Sequence, residues 1–160
     1  MPLPSGYIEM PLKESDWRTR YELEKRIVPA DLQEFEPVVP GRFRTPWPIR
    51  VLAPLFRFAD TTRDRDVVVR RTRDQVVVAR CGWSVSKKPR GTNQIRVRLD
   101  PAHAELAPYL VHRALAEVLA KSPSLRVETF LPAWMPAVSH EVEALGFIRR
   151  TSNKTMGMKL

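Results

Sequence analysis

Residues 94–99 (QIRVRL) and 125–131 (LRVETFL) flank a helical pattern, and this unit decides the fold. In the first segment Ile95, Val97 and Leu99 alternate with polar residues, as in a strand with one buried face. The apolar residues between Pro108 and Lys121 instead repeat at helical spacing. They are Leu110, Val111, Ala114, Leu115, Val118 and Leu119. Strand, helix and strand in this order predict two adjacent parallel strands joined by a right-handed crossover.

A β-hairpin is predicted upstream of this unit. Residues 66–71 (DVVVRR) and 75–83 (QVVVARCGW) are rich in valine, and the short polar segment 72–74 joins them. A polar loop at 87–92 (KKPRGT) then leads into strand 94–99. The three strands are therefore expected to form a meander.

Downstream, the sequence predicts a short helix and a closing strand. Pro136 suits the first turn of a helix, and Gly146 stands where a C-terminal cap belongs. The last segment, 154–160 (KTMGMKL), is predicted to be a strand, with Met156, Met158 and Leu160 alternating inward.

The first sixty residues predict a helical arm with extended links. Ser15 or Asp16 can cap a helix from about Trp17 to Val28, which Pro29 ends. A short turn is expected at 31–35, irregular chain between Pro37 and Pro48, and a broken apolar helix at 49–58. Six large apolar residues of this part are expected to cover a sheet face or a second domain. They are Trp17, Tyr21, Trp47, Leu52, Leu55 and Phe56.

Composition limits the class of protein. The 160 residues are 43% hydrophobic, which suits one globular domain with its own core. No apolar run approaches the ~20 residues that span a bilayer, and the N-terminus lacks a secretory signal pattern. The one cysteine, Cys81, excludes an internal disulfide and a Cys-rich zinc site. A cytoplasmic location is therefore expected.

The net charge of +9 is concentrated in the middle of the chain. Residues 61–100 hold eleven basic and four acidic residues, whereas residues 1–60 hold nine of each. A basic block of this kind can meet nucleic acid, an acidic protein or a phosphorylated cofactor. It shows neither aromatic interleaving nor a helix-turn-helix pattern, which favours a solvated arginine-rich surface.

The order of elements resembles the Gcn5-related N-acetyltransferase (GNAT) family. The segment 143–147 (EALGF) is similar to the family's E-x-L-G-F motif before its final hairpin, and 97–101 (VRLDP) is similar to its central strand. The resemblance covers residues 66–160, and residues 1–60 only by analogy with the family's first strand and two helices. It implies one α+β domain over 1–160, with 61–160 as sheet core. The mixed sheet would be mostly antiparallel, with one parallel pair splayed at the centre.

The resemblance also implies acetyl-CoA as cofactor and an amine as acceptor. The backbone of Val97, Arg98 and Leu99 would face the pantetheine. The family's diphosphate loop, Arg/Gln-x-x-Gly-x-Gly/Ala, corresponds here to residues 104–109. The candidate cofactor-binding residues of this loop are Ala104, Glu105, Leu106, Ala107 and Tyr109.

This loop departs from the family pattern. A carboxylate at 105 opposes a phosphate, and Tyr109 stands where a small residue allows close approach. Weak acetyl-CoA binding, or none, is therefore expected. Lys87, Lys88 and Arg90 are candidates to replace the lost phosphate contacts.

Catalytic residues are not evident in the sequence. Many relatives have a tyrosine, which protonates the departing thiolate, at the place occupied here by Val142. His103 and His140 are weak candidates for proton transfer, because an ordinary histidine pKa suits it. No metal spacing links the histidines. His112 and Arg113 are expected to face solvent, and Cys81 is expected to be a buried, inert thiol.

Three hypotheses remain open from the sequence. The chain is an N-acetyltransferase with an unusual cofactor loop, or a non-catalytic GNAT-like domain that pairs with a second copy or a second such domain. The third hypothesis is a nucleic-acid- or ribosome-associated module that uses the basic block.

Overall fold

The computed structural model describes residues 1–13, 15–44, 46, 62–124 and 126–152. The strands are β1 (Tyr7–Pro11), β2 (Thr62–Arg71), β3 (Val77–Ser86), β4 (Asn93–Leu99) and β5 (Val127–Thr129). The α-helices are α1 (Trp17–Ile27), α2 (Ala30–Phe35), α3 (Ala107–Lys121) and α4 (Pro136–Ala144), and 3-10 turns lie at Pro40–Arg42 and Pro101–Leu106.

The described strands form one mixed sheet in the order β1-β2-β3-β4-β5. The first four are antiparallel neighbours, and only β4 and β5 run parallel, with Asn93, Gln94 and Ile95 opposite Val127, Glu128 and Thr129. The predicted meander and the predicted parallel pair are therefore confirmed. β1 was not located by sequence patterns; it follows Gly6 and pairs with the C-terminal half of β2.

The core lies between the sheet and α3. Ile95, Val97 and Leu99 are buried on that side of β4, as the alternation predicts. From α3 the core receives Ala107, Leu110, Val111, Ala114 and Val118. Leu119 was predicted on the same face but is 50% exposed. The helix buries a narrower stripe than its apolar pattern offers, because Val118 already fills the core at that turn.

The opposite face of the sheet is polar and lies against α1. Asp16 caps this helix by accepting a hydrogen bond from the Thr19 amide at 3.2 Å. Leu23 and Ile27 are buried, while Glu24 binds the Arg98 side chain of β4 at 2.9 Å. Ion pairs as well as apolar contacts therefore hold α1 to the sheet.

Several boundaries differ from the predicted ones. The hairpin strands are longer than predicted, and their turn extends to Val76, with Gln75 at a positive φ of 60°. Arg71 stabilises this turn through two hydrogen bonds to Asp74, whose pKa they lower to about 2. The predicted α4 and its cap are confirmed, since Gly146 adopts a φ of 86°. The predictions for 49–58 and 154–160 lie outside the described residues, as do those for Trp47, Leu52, Leu55 and Phe56.

Asn93 ties the parallel pair together. Its fully buried amide donates to the carbonyls of Ser124 (2.8 Å) and Arg126 (3.0 Å), and its Oδ1 accepts from the Ser86 amide at 2.9 Å. One side chain thus joins the end of β3, the start of β4 and the segment that enters β5.

We expect Asn93→Ala to lower the free energy of unfolding by about 3 kcal/mol, because the buried Ser86 amide and Ser124 carbonyl lose this partner, whereas the Arg126 carbonyl keeps its bond from the backbone amide of residue 93. Gln94→Ala, at the adjacent half-buried position, is the control and is expected to cost under about 1 kcal/mol. Urea denaturation of both variants measures the difference. Equal effects would contradict the role given to the Asn93 amide.

Candidate functional site

The candidate site begins where the parallel pairing ends. The last paired residues are Ile95 and Thr129, but β4 continues to Leu99 while β5 stops. The hydroxyl of Thr129 is buried and has no hydrogen-bond partner among the described residues. A buried hydroxyl normally has a hydrogen-bond partner, and a ligand or a water can supply one here.

The backbone of β4 presents alternate residues to this gap. Asn93 donates its amide to Arg126, on the β5 side, whereas Asp100 donates to Val78 of β3, both at 2.9 Å. By alternation the backbone groups of Val97 and Leu99 point to the β5 side, and those of Arg98 point to β3. By this alternation Val97 and Leu99 of the predicted pantetheine-facing set lie on the gap side and Arg98 does not, and the role of all three towards a cofactor stays a prediction.

Arg98 reaches the gap through its side chain instead. Its Nη1 donates to the carbonyl oxygen of Val97 at 3.0 Å, while its Nε binds Glu24. The Val97 carbonyl lies on the part of the β4 edge that β5 leaves unpaired, and it is therefore already hydrogen-bonded within the chain.

A cavity of about 160 Å³ opens beside the gap on the α1 face of the sheet. Its lining comprises Glu24, Arg80, Gln94, Ile95, Arg96, Arg98 and Phe130. Three of these residues are arginines and one is a carboxylate. Phe130, the residue after β5, is 70% exposed and forms an apolar part of the wall.

Two arginines of the cavity, Arg80 and Arg96, lie around Asp66 of β2 together with Arg20 of α1. This carboxylate accepts from Arg80 at 2.7 Å, pairs with Arg20 of α1 at 3.4 Å, and lies 3.9 Å from Arg96. It occupies space above Gly82, where an added Cβ would lie 1.9 Å from its Oδ1. The glycine therefore makes room for the charge that holds these guanidinium groups.

The segment between β4 and α3 is a 3-10 turn whose backbone amides donate hydrogen bonds to acceptors within the same segment. The Asp100 carboxylate accepts from the Ala102 amide, the His103 amide donates to the Asp100 carbonyl, and the Ala107 amide donates to Ala104. Pro101 and Pro108 have no N–H to offer.

Glu105 and His103 are bound to β1. The Tyr7 hydroxyl donates to the Glu105 carboxylate and lies 2.7 Å from Nδ1 of His103. A hydroxyl has one proton, so His103 supplies the proton of the second bond. Burial and the bond to Glu105 raise the pKa of Tyr7 to about 12, and the same bond lowers the pKa of Glu105.

Tyr109 is buried at the start of α3 and is also bound to β1. Its hydroxyl donates to Glu9 at 2.5 Å, and Arg113 pairs with the same carboxylate at 3.3 Å. Burial and the bond to Glu9 raise the pKa of Tyr109 to about 12. Arg113 also lies 5.2 Å from the Trp83 ring and pairs with Glu117. It is therefore half-buried, not solvent-facing as predicted.

The remaining candidates lie away from the gap. His140 is exposed on α4, and His112, which was predicted to face solvent, is partly covered and pairs with Glu141 at 3.3 Å. Cys81 is fully buried, which raises the pKa of its thiol to about 12 and agrees with an inert residue. The described residues contain no cluster of potential metal ligands and no helix that is long and apolar enough to cross a membrane.

The loop that carries Lys87, Lys88 and Arg90 precedes β4, whereas Ala104 to Tyr109 follow it. The seven residues of β4 separate the two segments by roughly 20 Å at ~3.3 Å per residue. These three cations therefore lie at the other end of the strand from the predicted diphosphate loop.

Sequence reasoning missed most of the polar cavity. Glu24, Arg80 and Arg96 come from α1, β3 and β4, and no local motif links them. The sequence signal for part of this cavity was the alternation in β4. Arg96 and Arg98 both occupy even-numbered positions of the strand, which places them together on the face opposite the core.

Comparison with solved structures identifies the architecture. An acetyltransferase of Trypanosoma brucei superposes with a TM-score of 0.55 at 19% identity, covering 96% of this chain and 99% of the other. A chimera of the spermidine N-acetyltransferase SpeG from Vibrio cholerae with hSSAT gives 0.58 at 16% identity, covering 92% and 83%. A dodecameric Vibrio cholerae spermidine N-acetyltransferase gives 0.56 at 14% identity, covering 92% and 82%.

No protein-family model and no curated protein sequence matches the chain. The likeness to the solved structures, together with the parallel β4–β5 pair in an otherwise antiparallel sheet, defines the fold as that of the GNAT acetyltransferases.

The two bound tyrosines predict alkaline instability. An unfolded chain releases tyrosine protons near pH 10, whereas Tyr7 and Tyr109 keep theirs to about 12 in the folded protein. Stability should therefore fall as the pH rises from about 10 towards 12. In the Tyr7→Phe/Tyr109→Phe variant this fall should be smaller, as measured by denaturant unfolding at pH 9 and 11. An unchanged pH dependence would show that these protons are not linked to folding.

Proposed function

We propose that this chain is a GNAT-type N-acetyltransferase that acts on an amine and holds its cofactor mainly along the β4 edge. The observation that carries the proposal is the end of parallel pairing at Ile95–Thr129. It leaves the backbone of Val97 and Leu99 directed to the β5 side without a β5 partner. Acetyl-CoA, when bound, supplies an acetyl group activated as a thioester.

The fit to that cofactor is partial. The Val97 and Leu99 edge and the unpartnered Thr129 hydroxyl suit a ligand with amide groups. The loop from Ala104 through Leu106 and Ala107 to Tyr109 suits a diphosphate poorly. The Ala107 amide of this loop and the amide of the preceding His103 already donate to carbonyls of the turn, and Glu105 adds a negative charge.

Glu24 is the group that we assign to the acceptor amine. It lines the cavity beside the gap, and its carboxylate can bind an ammonium. Arg98 holds this carboxylate in position at 2.9 Å. His103 and His140 are less suited to that role, because the first is bound to Tyr7 and the second is exposed on α4.

A second candidate function is a non-catalytic GNAT-fold domain. The satisfied amides of the turn and the Arg98 bond to the Val97 carbonyl favour it, because each must be broken before a cofactor can pair there. Such a domain would act through association with a second copy or a second domain. The dodecamer of the Vibrio cholerae protein is in line with self-association of this fold. The nucleic-acid hypothesis is weakened, because Arg71, Arg80 and Arg98 of the basic block pair with carboxylates.

Calorimetry with acetyl-CoA tests the proposal. For the unchanged protein we expect a dissociation constant weaker than the low micromolar range. Glu105→Gln keeps a hydrogen-bond acceptor for Tyr7 but removes the charge, and should tighten binding by about tenfold, since a half-exposed charge is partly screened. Glu143→Gln, at an exposed site on α4 that pairs with Arg149, is the control and should change nothing.

Two results would decide against parts of this account. Low-micromolar binding by the unchanged protein would show that the 104–109 segment accommodates a diphosphate. No saturable binding by either the unchanged protein or Glu105→Gln would reject the acetyltransferase and leave the non-catalytic domain.

A further inference from the structure

The cavity beside the β4–β5 gap has the wrong charge for a polyamine. Arg80, Arg96 and Arg98 give its lining three positive charges, and Glu24 gives one negative charge. Asp64, Asp66 and Arg20, which pair with these arginines or with each other beside the lining, reduce the local surplus to one positive charge. A polycation such as the spermidine named for the Vibrio cholerae proteins would be repelled by this lining. A small anion is attracted to it.

The three arginines differ in the hydrogen bonds that they can still form. Arg98 is committed to Glu24 and to the Val97 carbonyl. Arg80 donates to Asp66 through Nη2, while its Nε is buried with no hydrogen-bond partner among the described residues. Arg96 lies 3.8 and 3.9 Å from Asp64 and Asp66, beyond hydrogen-bond distance, and its side chain is 37% exposed. Arg96 therefore has donors that a ligand can use.

The remaining lining residues narrow the chemistry of that ligand. Glu24 is an acceptor for an ammonium, the Gln94 amide both donates and accepts, and Phe130 provides an apolar surface. A volume of about 160 Å³ is well below the ~300–1,000 Å³ of pockets for drug-sized ligands, so only a small molecule or one side chain fits.

We propose that this cavity binds an acidic amino acid, with carboxylate groups on Arg96 and Arg80 and the amine on Glu24. Guanidinium groups suit carboxylates because their planar donors match the two oxygens. A ligand with net charge −1 also matches the local surplus of one positive charge. The proposal rests on the proposed function only where it makes this amino acid the acetyl acceptor; the binding itself needs no cofactor.

The test is calorimetry without acetyl-CoA, with L-glutamate, L-glutamine, glutarate, inorganic phosphate and spermidine as probes. We expect L-glutamate to bind most tightly. L-glutamine should bind about tenfold more weakly, because it lacks one charge-assisted contact. Glutarate, which lacks the amine, should also bind more weakly, as should phosphate, and spermidine should not bind.

Variants at arginine positions tie the binding to the cavity. Arg96→Gln should weaken L-glutamate binding by at least tenfold, and Arg96→Lys, which keeps the charge but not the planar fork, should lie between. Arg73→Gln, on the exposed turn between β2 and β3, is the control and should bind as the unchanged protein does. Thermal unfolding of each variant verifies that it is folded.

Three outcomes would overturn the proposal. They are tighter binding of spermidine than of L-glutamate, unchanged L-glutamate binding in folded Arg96→Gln, and equal affinity for phosphate, glutarate and L-glutamate. The last outcome would reveal an oxyanion site without amine recognition. If L-glutamate binds as expected but acetyl-CoA does not, the cavity assignment stands and the acetyltransferase assignment fails.

Discussion

The buried amide of Asn93 is the interaction on which the site depends. Parallel strands receive no help from a tight turn, so their register must be fixed by contacts between distant segments. Asn93 supplies them by bonding Ser86 on one side and Ser124 and Arg126 on the other. Because the register is fixed at this end, the pairing ends at a defined place, after Ile95 and Thr129, where the gap begins.

The two faces of the sheet serve different purposes. The face under α3 is closed by aliphatic packing, whereas the face under α1 is built from arginines and carboxylates around Asp66. This arrangement requires a glycine at position 82, because any side chain there would occupy the position of the Asp66 carboxylate. A face held by ion pairs leaves charged groups beside the gap, and these groups define the chemistry of the cavity. The fold supplies the gap, and the polar face supplies the charged groups beside it.

Regular periodicity made much of the fold predictable. Three sequence patterns each predict one element and the face that it buries: the valine-rich hairpin, the alternation in β4 and the apolar stripe of α3. β1 escaped prediction because five residues with polar and apolar side chains mixed carry little periodic signal, and its pairing with β2 spans some sixty residues of sequence. The site was harder still. Glu24, Arg80 and Arg96 are brought together only by the packing of α1 on the sheet, and Tyr7 reaches His103 and Glu105 only once β1 has joined the edge.

Cys81 gives the molecule a built-in reporter. Its side chain is fully buried in β3, its thiol donates to the Leu110 carbonyl at 3.2 Å, and its raised pKa keeps the reactive thiolate scarce. An alkylating reagent can reach the sulfur only when α3 lifts from the sheet or the chain unfolds. Since the sequence has no second cysteine, the rate of labelling reports only the events that expose this one sulfur. Cys81 lies on the opposite side of the sheet from the polar cavity. A lower labelling rate in the presence of a ligand would thus show that binding at the polar face stabilises the whole domain.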